Sequence, residues 1–371
     1  MSYYDYHCRY KNVEWSDAAG VVNNEDVERA LAKEDLSLLD FLAFLSPAAE
    51  VYLERMAKKA QEITLRHFGR TIQLYAPIYV SDYCDNQCLY CSFNARNRGE
   101  RKKLNLDEVE REAAFVAEAG LRQILLLTGE SKKESPLDYL RDCVRILRRY
   151  FSSIAVEIYP LAAEDYKSLV ADGVDGLTVY QETYNEDIYK SVHPAGPKRN
   201  FRFRLETPER GAHAGMRQVN IGALLGLADW RKEVFSMGMH AQYLQDRFPD
   251  VEIGVSVPRL RPHAGAFQST CMVNDQNMVQ IILALRLFMP RLSIALSTRE
   301  NSRFRDHLIP LGITRMSAGS ATSVGGYTAP LSNDSALSQF EIADHRSIPE
   351  IMAIIRQKGY DPVFNDWIFG I

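Results

Sequence analysis

Half of the six cysteines in this chain fall within eight consecutive residues, and their spacing sets the chemistry the protein can do. Cys84, Cys88 and Cys91 stand in Cys-x3-Cys-x2-Cys order inside Tyr83-Cys84-Asp85-Asn86-Gln87-Cys88-Leu89-Tyr90-Cys91-Ser92-Phe93. Three thiolates on one tight loop can hold three irons of a cuboidal 4Fe-4S cluster, a group that usually takes four. The fourth iron then has no protein ligand and can bind a small molecule, as a catalytic zinc keeps one open position. A zinc knuckle would want a fourth Cys or His close by, yet His193 is the one histidine between Arg70 and Arg210. Cys8, Cys143 and Cys271 are scattered singly. That is no disulfide framework, and a reducing, cytoplasmic compartment is expected.

The elements that must position this loop are legible as alternating runs. Residues 1–70 form a helical preface, with an amphipathic stretch from Ala48 to Phe68. The first strand, Ile72–Val80, leads directly into the cysteines. Strands follow at Gln123–Thr128, Ile154–Tyr159, Gly176–Gln181, Gln218–Ala223, Glu252–Val257, Leu292–Ser297 and Thr314–Ser317. Helical stretches separate most of them, and Asn105 with Glu108 is a capping-box start for Leu106–Ala119. The segment from Glu186 to Gly215 carries no clear period. Short apolar strands buried on both faces, alternating with helices, predict an α/β fold of TIM type, a (β/α)8 barrel over residues 71–318. A doubly wound sheet is the alternative. Residues 319–371 are expected to cover the barrel with helices and loops, including Ile348–Lys358.

Composition is that of an ordinary globular chain, with 46% hydrophobic and 25% charged residues. A net charge of −4 gives no general attraction for nucleic acid or an anionic membrane. No apolar run approaches the roughly 18 residues that a bilayer span needs. Met1-Ser2-Tyr3-Tyr4-Asp5-Tyr6 has no signal-peptide apolar core.

In a barrel, working residues sit at the carboxyl ends of strands. The second strand ends in Thr128-Gly129-Glu130, where Gly129 lets backbone approach a ligand and exposed carbonyls could accept from an ammonium. The third ends in Val156-Glu157-Ile158-Tyr159, and a carboxylate in such a run is costly to bury unless it is paired. Glu157 either binds a ligand or serves an arginine. The fourth ends in Tyr180-Gln181-Glu182-Thr183-Tyr184, a polar, aromatic rim suited to an amino acid, with Gln181 the candidate contact. Arg199, Arg202 and Arg204 follow, and Ser256-Val257-Pro258-Arg259-Leu260-Arg261-Pro262 forms a rigid basic turn. Arg299 and Ser317 end the last two strands and could clamp a carboxylate by fork and hydroxyl. Alternatively, Arg299 pairs with Glu300 or caps a helix.

Taken in order, Cys-Ser-Phe, Leu-Thr-Gly-Glu, Val-Glu-Ile-Tyr-Pro, Tyr-Gln-Glu-Thr-Tyr-Asn, His193-Pro194-x-Gly196-Pro197-Lys198, Ser-x-Pro-Arg-Leu-Arg-Pro, Leu-Ser-Thr-Arg-Glu and Met-Ser-Ala-Gly-Ser resemble the radical S-adenosylmethionine (SAM) superfamily. Within it they are most similar to the aromatic-amino-acid lyase branch, and there to the tyrosine lyases of thiamine biosynthesis. The resemblance implies that Cys84, Cys88 and Cys91 hold the cluster and that its open iron chelates SAM. It implies SAM contacts from Phe93, from Thr128, Gly129 and Glu130 to the amino group, from Glu157 to the ribose, from Arg204 to the carboxylate, and from Ser256. Gln181, Arg299 and Ser317 would bind the substrate. The implied reaction cleaves the Cα–Cβ bond of L-tyrosine to 2-iminoacetate and p-cresol, with 5′-deoxyadenosine and methionine. A low-potential donor of flavodoxin or ferredoxin type and a thiazole synthase are the implied partners. The related hydrogenase-maturation lyase carries a second cluster on a C-terminal extension, whereas no cysteine follows Cys271 here. A tryptophan lyase is not separated by these motifs. A non-catalytic iron–sulfur carrier would need neither the Gly-Glu turn nor the barrel.

Overall fold

Eight parallel strands close on themselves because the first is long enough to serve two neighbours at different heights. The computed structural model describes residues 2–11, 20–263, 266–269, 271–328 and 337–365. Strand β1 (Thr71–Ser81) has eleven residues. Its middle, Gln73–Tyr75, pairs with β8 (Arg315–Ser317), and Ala76–Ser81 pairs with β2 (Gln123–Thr128). Between these two run β3 (Ser153–Glu157), β4 (Gly176–Glu182), β5 (Gln218–Ala223), β6 (Glu252–Ser256) and β7 (Ser293–Leu296), each hydrogen-bonded to the next. That closure is the expected (β/α)8 barrel and leaves no free edges for a doubly wound sheet.

All eight expected strands are present within two residues at either end. One further strand has no counterpart among those expected, and the expected helical preface begins earlier than any helix assigned to it. Strand β9 (Asp361–Val363) pairs with Thr71–Gln73 outside the ring, and a helix covers Tyr3–Tyr10. The unassigned stretch folds into four short helical pieces, Glu186–Val192, Pro197–Arg199, Phe201–Leu205 and Thr207–His213. The outer helices begin as their sequences direct. Asn105 accepts from the Glu108 N–H at 2.9 Å, and Glu108 returns a contact to the Asn105 N–H at 2.8 Å.

The N-terminal helices pack on the flank of the barrel. Phe41, in helix Leu38–Leu45, stacks on Phe288 with centroids 4.3 Å apart and on Phe235 at 5.6 Å. Gly238 makes room for it, since a Cβ there would stand 2.3 Å from the Phe41 ring. The segment after β8 folds across the barrel mouth. Tyr327 donates to the Pro77 carbonyl at 2.8 Å, and Tyr79 donates to Gln339 at 2.8 Å.

This cover is fastened by one buried ion pair. Arg305, in helix Ser302–Leu308, bonds Asp344 and the carbonyl of Ser317, and both charged side chains are fully buried. Burial would raise the Asp344 carboxyl, but Arg346 and Arg305 hold it below the usual range. Removing one partner of a buried pair leaves the other charge uncompensated. Asp344→Ala should therefore lower the unfolding free energy by about 3–5 kcal/mol in denaturant titration, and a loss under about 1 kcal/mol would show the cover to be fastened elsewhere.

Candidate active site

The cysteine loop has no secondary structure of its own, so its shape must come from neighbours. Asp85 N–H donates to the Glu130 carbonyl at 3.0 Å, Gln87 N–H to Ala195 at 3.1 Å and Leu89 N–H to Val192 at 3.1 Å. Gly129 N–H donates to Ser81 at 2.7 Å, and a Cβ on Gly129 would lie 2.4 Å from the Tyr83 carbonyl oxygen. The close approach that Gly129 permits is thus to the cysteine loop itself. Gly196, at φ +99°, allows a similar crossing, since a Cβ there would meet Asn86 Oδ1 at 2.4 Å. From the far side Arg101 donates to the carbonyls of Asp82, Phe93, Asn94 and Asn97.

Tyr90 lies between two of the cysteines and is anchored through a buried histidine. His193 Nδ1 faces the Tyr189 carbonyl at 2.7 Å, and Nε2 faces the Tyr90 hydroxyl at 2.6 Å. Burial, with Lys198 adding to it, pushes His193 down to about 2, so the ring is neutral. A carbonyl can only accept, so Nδ1 carries the proton and Nε2 accepts from Tyr90.

Beneath the loop lies a four-charge network. Arg204 donates to Glu130 at 2.8 Å and to the Tyr180 carbonyl at 2.6 Å, and Lys198 bonds Glu182 at 2.7 Å. Longer contacts, Lys198 to Glu130 at 3.8 Å and Arg204 to Glu182 at 3.7 Å, close the square. Burial would raise Glu130, but Arg204 and Lys198 hold it below the ordinary carboxylate value. Its second oxygen accepts from Asn86 at 2.9 Å, which ties the network to the cysteine loop.

Two cavities open at this mouth. The outer one, about 850 Å³, is lined by Cys84, Cys88, Cys91, Phe93, Thr128, Gly129, Glu130, Lys198 and Arg204. The inner one, about 670 Å³, reaches into the barrel past Tyr75, Tyr79, Leu125, Leu127, Ser256 and Ser317. Glu157, Tyr180, Pro258, Arg299, Gln339 and Phe340 line both, so the two communicate. Among the described residues no three His, Cys, Asp or Glu side chains converge as a single ion requires. The cysteines instead share one wall, which suits a cluster whose irons take one thiolate each. Burial pushes Cys91 up to about 12 and raises Cys84 and Cys88 as well, so metal is what would hold them as thiolates. Thr128 Oγ1 and Arg261 Nε are buried at the outer cavity with no hydrogen-bond partner among the described residues, which fits a ligand bearing hydrogen-bonding groups.

Several candidates sit elsewhere than the sequence suggested. Gln181 lines neither cavity, because a bulge between Tyr180 and Glu182 turns those two neighbours inward instead. Ser256 lines the inner cavity rather than the cysteine side, and its Oγ accepts from Asn220 at 2.9 Å. The Arg204 guanidinium is already engaged by Glu130 and Tyr180. Arg299 does not pair with Glu300, which Arg259 holds; its guanidinium lies 3.4 Å from the centre of the Phe340 ring. Ser317 Oγ accepts from the Thr298 N–H at 3.1 Å.

The residues that sequence reasoning missed are Glu182, Lys198, Gln339 and Phe340. Glu182 is the one non-glycine residue at positive φ, +70°, among those described, a strain of about 1–3 kcal/mol that clusters at functional sites. Lys198 belongs to the His-Pro-x-Gly-Pro-Lys run, which offered a signal. Gln339 and Phe340 lie in an irregular segment that offered none.

The radical SAM superfamily profile matches residues 78–237, and that of the Biotin and Thiamin Synthesis associated domain matches 256–361. The chain is 40% identical over 363 residues to the 2-iminoacetate synthases of Escherichia coli (strain K12) and Salmonella typhimurium, covering 97% of this chain and 96% of each relative. It superposes on the FeFe-hydrogenase maturase HydG from Carboxydothermus hydrogenoformans with a TM-score of 0.84 and 32% identity, covering 97% of this chain and 82% of that one. Methylornithine synthase shares the fold, with a TM-score of 0.72 at 21% identity over 91% of this chain and 97% of that one.

Glu157 titrates where the cavities meet. Burial, reinforced by Glu182, pushes its carboxyl up to about 7, against a relieving pull from Arg299. A raised carboxyl binds its proton more tightly folded than unfolded, so stability falls as pH rises from about 4.5 toward 7. Glu157→Gln removes that loss. It should stabilise the ligand-free protein by roughly 3 kcal/mol at pH 8 and by almost nothing at pH 4. Equal gains at both pH values would mean the carboxyl is not raised.

Proposed function

The chain belongs to the 2-iminoacetate synthase family of the radical SAM superfamily, and from that premise we propose that it cleaves the Cα–Cβ bond of L-tyrosine to 2-iminoacetate and p-cresol. The observation that carries this reading is the pair of communicating cavities, one walled by the three cysteines and the other by apolar and aromatic barrel residues below Arg299. A 4Fe-4S cluster given one electron by an external low-potential donor, with SAM, would supply methionine and a 5′-deoxyadenosyl radical to take one hydrogen atom from the substrate, and the cresol fragment released would take up one electron and one proton.

The chain's residues do the rest. Cys84, Cys88 and Cys91 would hold three irons and leave the fourth facing the outer cavity. Thr128, Gly129 and Glu130 lie where an amino group would meet carbonyl and carboxylate oxygens, and Phe93 offers an apolar face for the nucleoside. Arg299 makes no ion pair among the described residues and is pinned by Phe340, so its fork is available to a carboxylate in a largely dry site. Ser317 adds a hydroxyl beside it. Tyrosine held by its carboxylate there would direct its ring into the aromatic lower chamber and its nitrogen toward the cysteine side. The imine suits delivery to a thiazole synthase, and an oxygen-labile cluster held by cysteine thiolates suits the reducing cytoplasm. No helix among the described residues is long and apolar enough to cross a membrane.

Reconstituted protein turned over without oxygen with SAM and either tyrosine or tryptophan tests the reading. p-Cresol should form from tyrosine, and tryptophan should give no matched indole product. Arg299→Lys keeps the charge but loses the planar fork. It should still bind SAM, release deoxyadenosine without matching p-cresol, and lose at least about tenfold in tyrosine cleavage. Undiminished tyrosine cleavage by Arg299→Lys would remove Arg299 from the site.

A further inference from the structure

We propose that the basic run following the cysteine loop, together with Lys132 and Lys133, is the docking face for an acidic one-electron carrier protein. The inference rests on the radical SAM reading, in which the cluster is filled with electrons from outside, and it adds the surface through which they come.

The chain as a whole carries a net charge of −4, so an acidic partner meets no general attraction. Against that background Arg96, Arg98, Arg101, Lys102 and Lys103 place five cations within eight residues, opposed there by Glu100 alone. Arg96, Arg98, Lys102 and Lys103 are exposed. The run is also fixed. Leu104 N–H donates to the Val80 carbonyl at 2.9 Å, Asp82 N–H to Lys102 at 3.1 Å, and Lys103 bridges Ser81. Arg101 is used inward, on four carbonyls around the cysteines, so the remaining cations are mounted on the cluster loop's own scaffold.

Lys132 and Lys133 are exposed on the loop after β2, which the Asp85–Glu130 backbone bond joins to the cysteines. Two of the lysines have acidic neighbours, Lys102 with Glu108 at 3.9 Å and Lys133 with Glu134 at 3.4 Å. Arg96 and Arg98 make no ion pair among the described residues. The cysteine loop also shows solvent an apolar contact, for Leu89 is 39% exposed and is covalently next to the buried Cys88. A carrier seated here would be one residue of backbone from a cluster ligand. One electron would pass inward, oxidising the carrier and reducing the cluster by one unit, with no atom exchanged. Complementary charge of this kind governs encounter rate and orientation, and it weakens with salt.

The test reverses Arg96, Arg98, Lys132 and Lys133 to Glu in the full chain and measures the dissociation constant for a flavodoxin, the probe carrier. A control variant reverses Arg66, Arg70, Arg356 and Lys358, which are exposed directly before β1 and β9, at the amino end of β1 and so at the opposite end of the barrel. The mouth variant should bind at least about tenfold more weakly at low salt, the control within about twofold of the parent. Parent affinity should fall steeply between about 50 and 500 mM salt. Cluster reduction by flavodoxin should slow in the mouth variant, while dithionite still reduces its cluster and supports SAM cleavage. Equal weakening in both variants, or a salt-independent parent affinity, overturns the proposal. If the reversed variant does not fold, the milder pair Arg96→Gln and Arg98→Gln decides the same question through a smaller shift. Absence of SAM cleavage by dithionite-reduced parent protein would instead sink the enzymatic reading, and the binding comparison would still decide the surface.

Discussion

Everything at the barrel mouth depends on burying Glu130, Lys198, Arg204 and Glu182 together. Desolvating one charge costs several kcal/mol, and a buried pair regains this only with good geometry and satisfied hydrogen bonds. Four charges of alternating sign meet that condition here, with Asn86 and the Tyr180 carbonyl taking remaining valences. The network joins the ends of β2 and β4 to the short helices after β4, and through Asn86 it reaches the cysteine loop. It works together with the backbone bonds and Arg101 to hold a loop lacking secondary structure with its three thiols on one wall. The strained backbone of Glu182 is tolerated because both of its charge partners are fixed elsewhere.

That arrangement explains how one chamber can serve two molecules. The outer cavity is walled by the cysteines and the charged network, and the inner one by Tyr75, Tyr79, Leu125 and Leu127 together with polar side chains such as Ser256 and Ser317. On the proposed reading, the residues shared by both cavities stand between the two molecules. Phe340 and Gln339 close the chamber from the C-terminal segment, which the Arg305–Asp344 pair fastens to the end of β8. The mouth is therefore covered by chain far from the cysteines in sequence.

The strands were legible because each is a short apolar run with turn or helix signals on both sides, and the barrel followed from their number and alternation. The cysteines were legible by spacing alone. The stretch after β4 was not, because pieces of 7, 3, 5 and 7 residues are too short to show a helical period. Which residues of the Tyr180–Tyr184 rim face the cavities is not legible in the sequence, because the register shifts between Tyr180 and Glu182 and a bulge has no sequence mark here. Lys198 lies in the His-Pro-x-Gly-Pro-Lys run, but a lysine is ordinarily solvated, and only its three-dimensional partners Glu182 and Glu130 show it buried. Phe340 illustrates the same limit, because no local pattern places an aromatic ring over an arginine forty residues away.

The account's central claim is that the buried charges act as one unit to shape the SAM site. A double-mutant cycle on Glu130→Gln and Arg204→Met, read as the dissociation constant for SAM with the cluster in place, tests it most directly. Each single change strands its partner's charge, so each should weaken SAM binding by at least about tenfold, and the double variant should be no worse than the poorer single. Single changes without effect, or losses that simply add in the double variant, would contradict it.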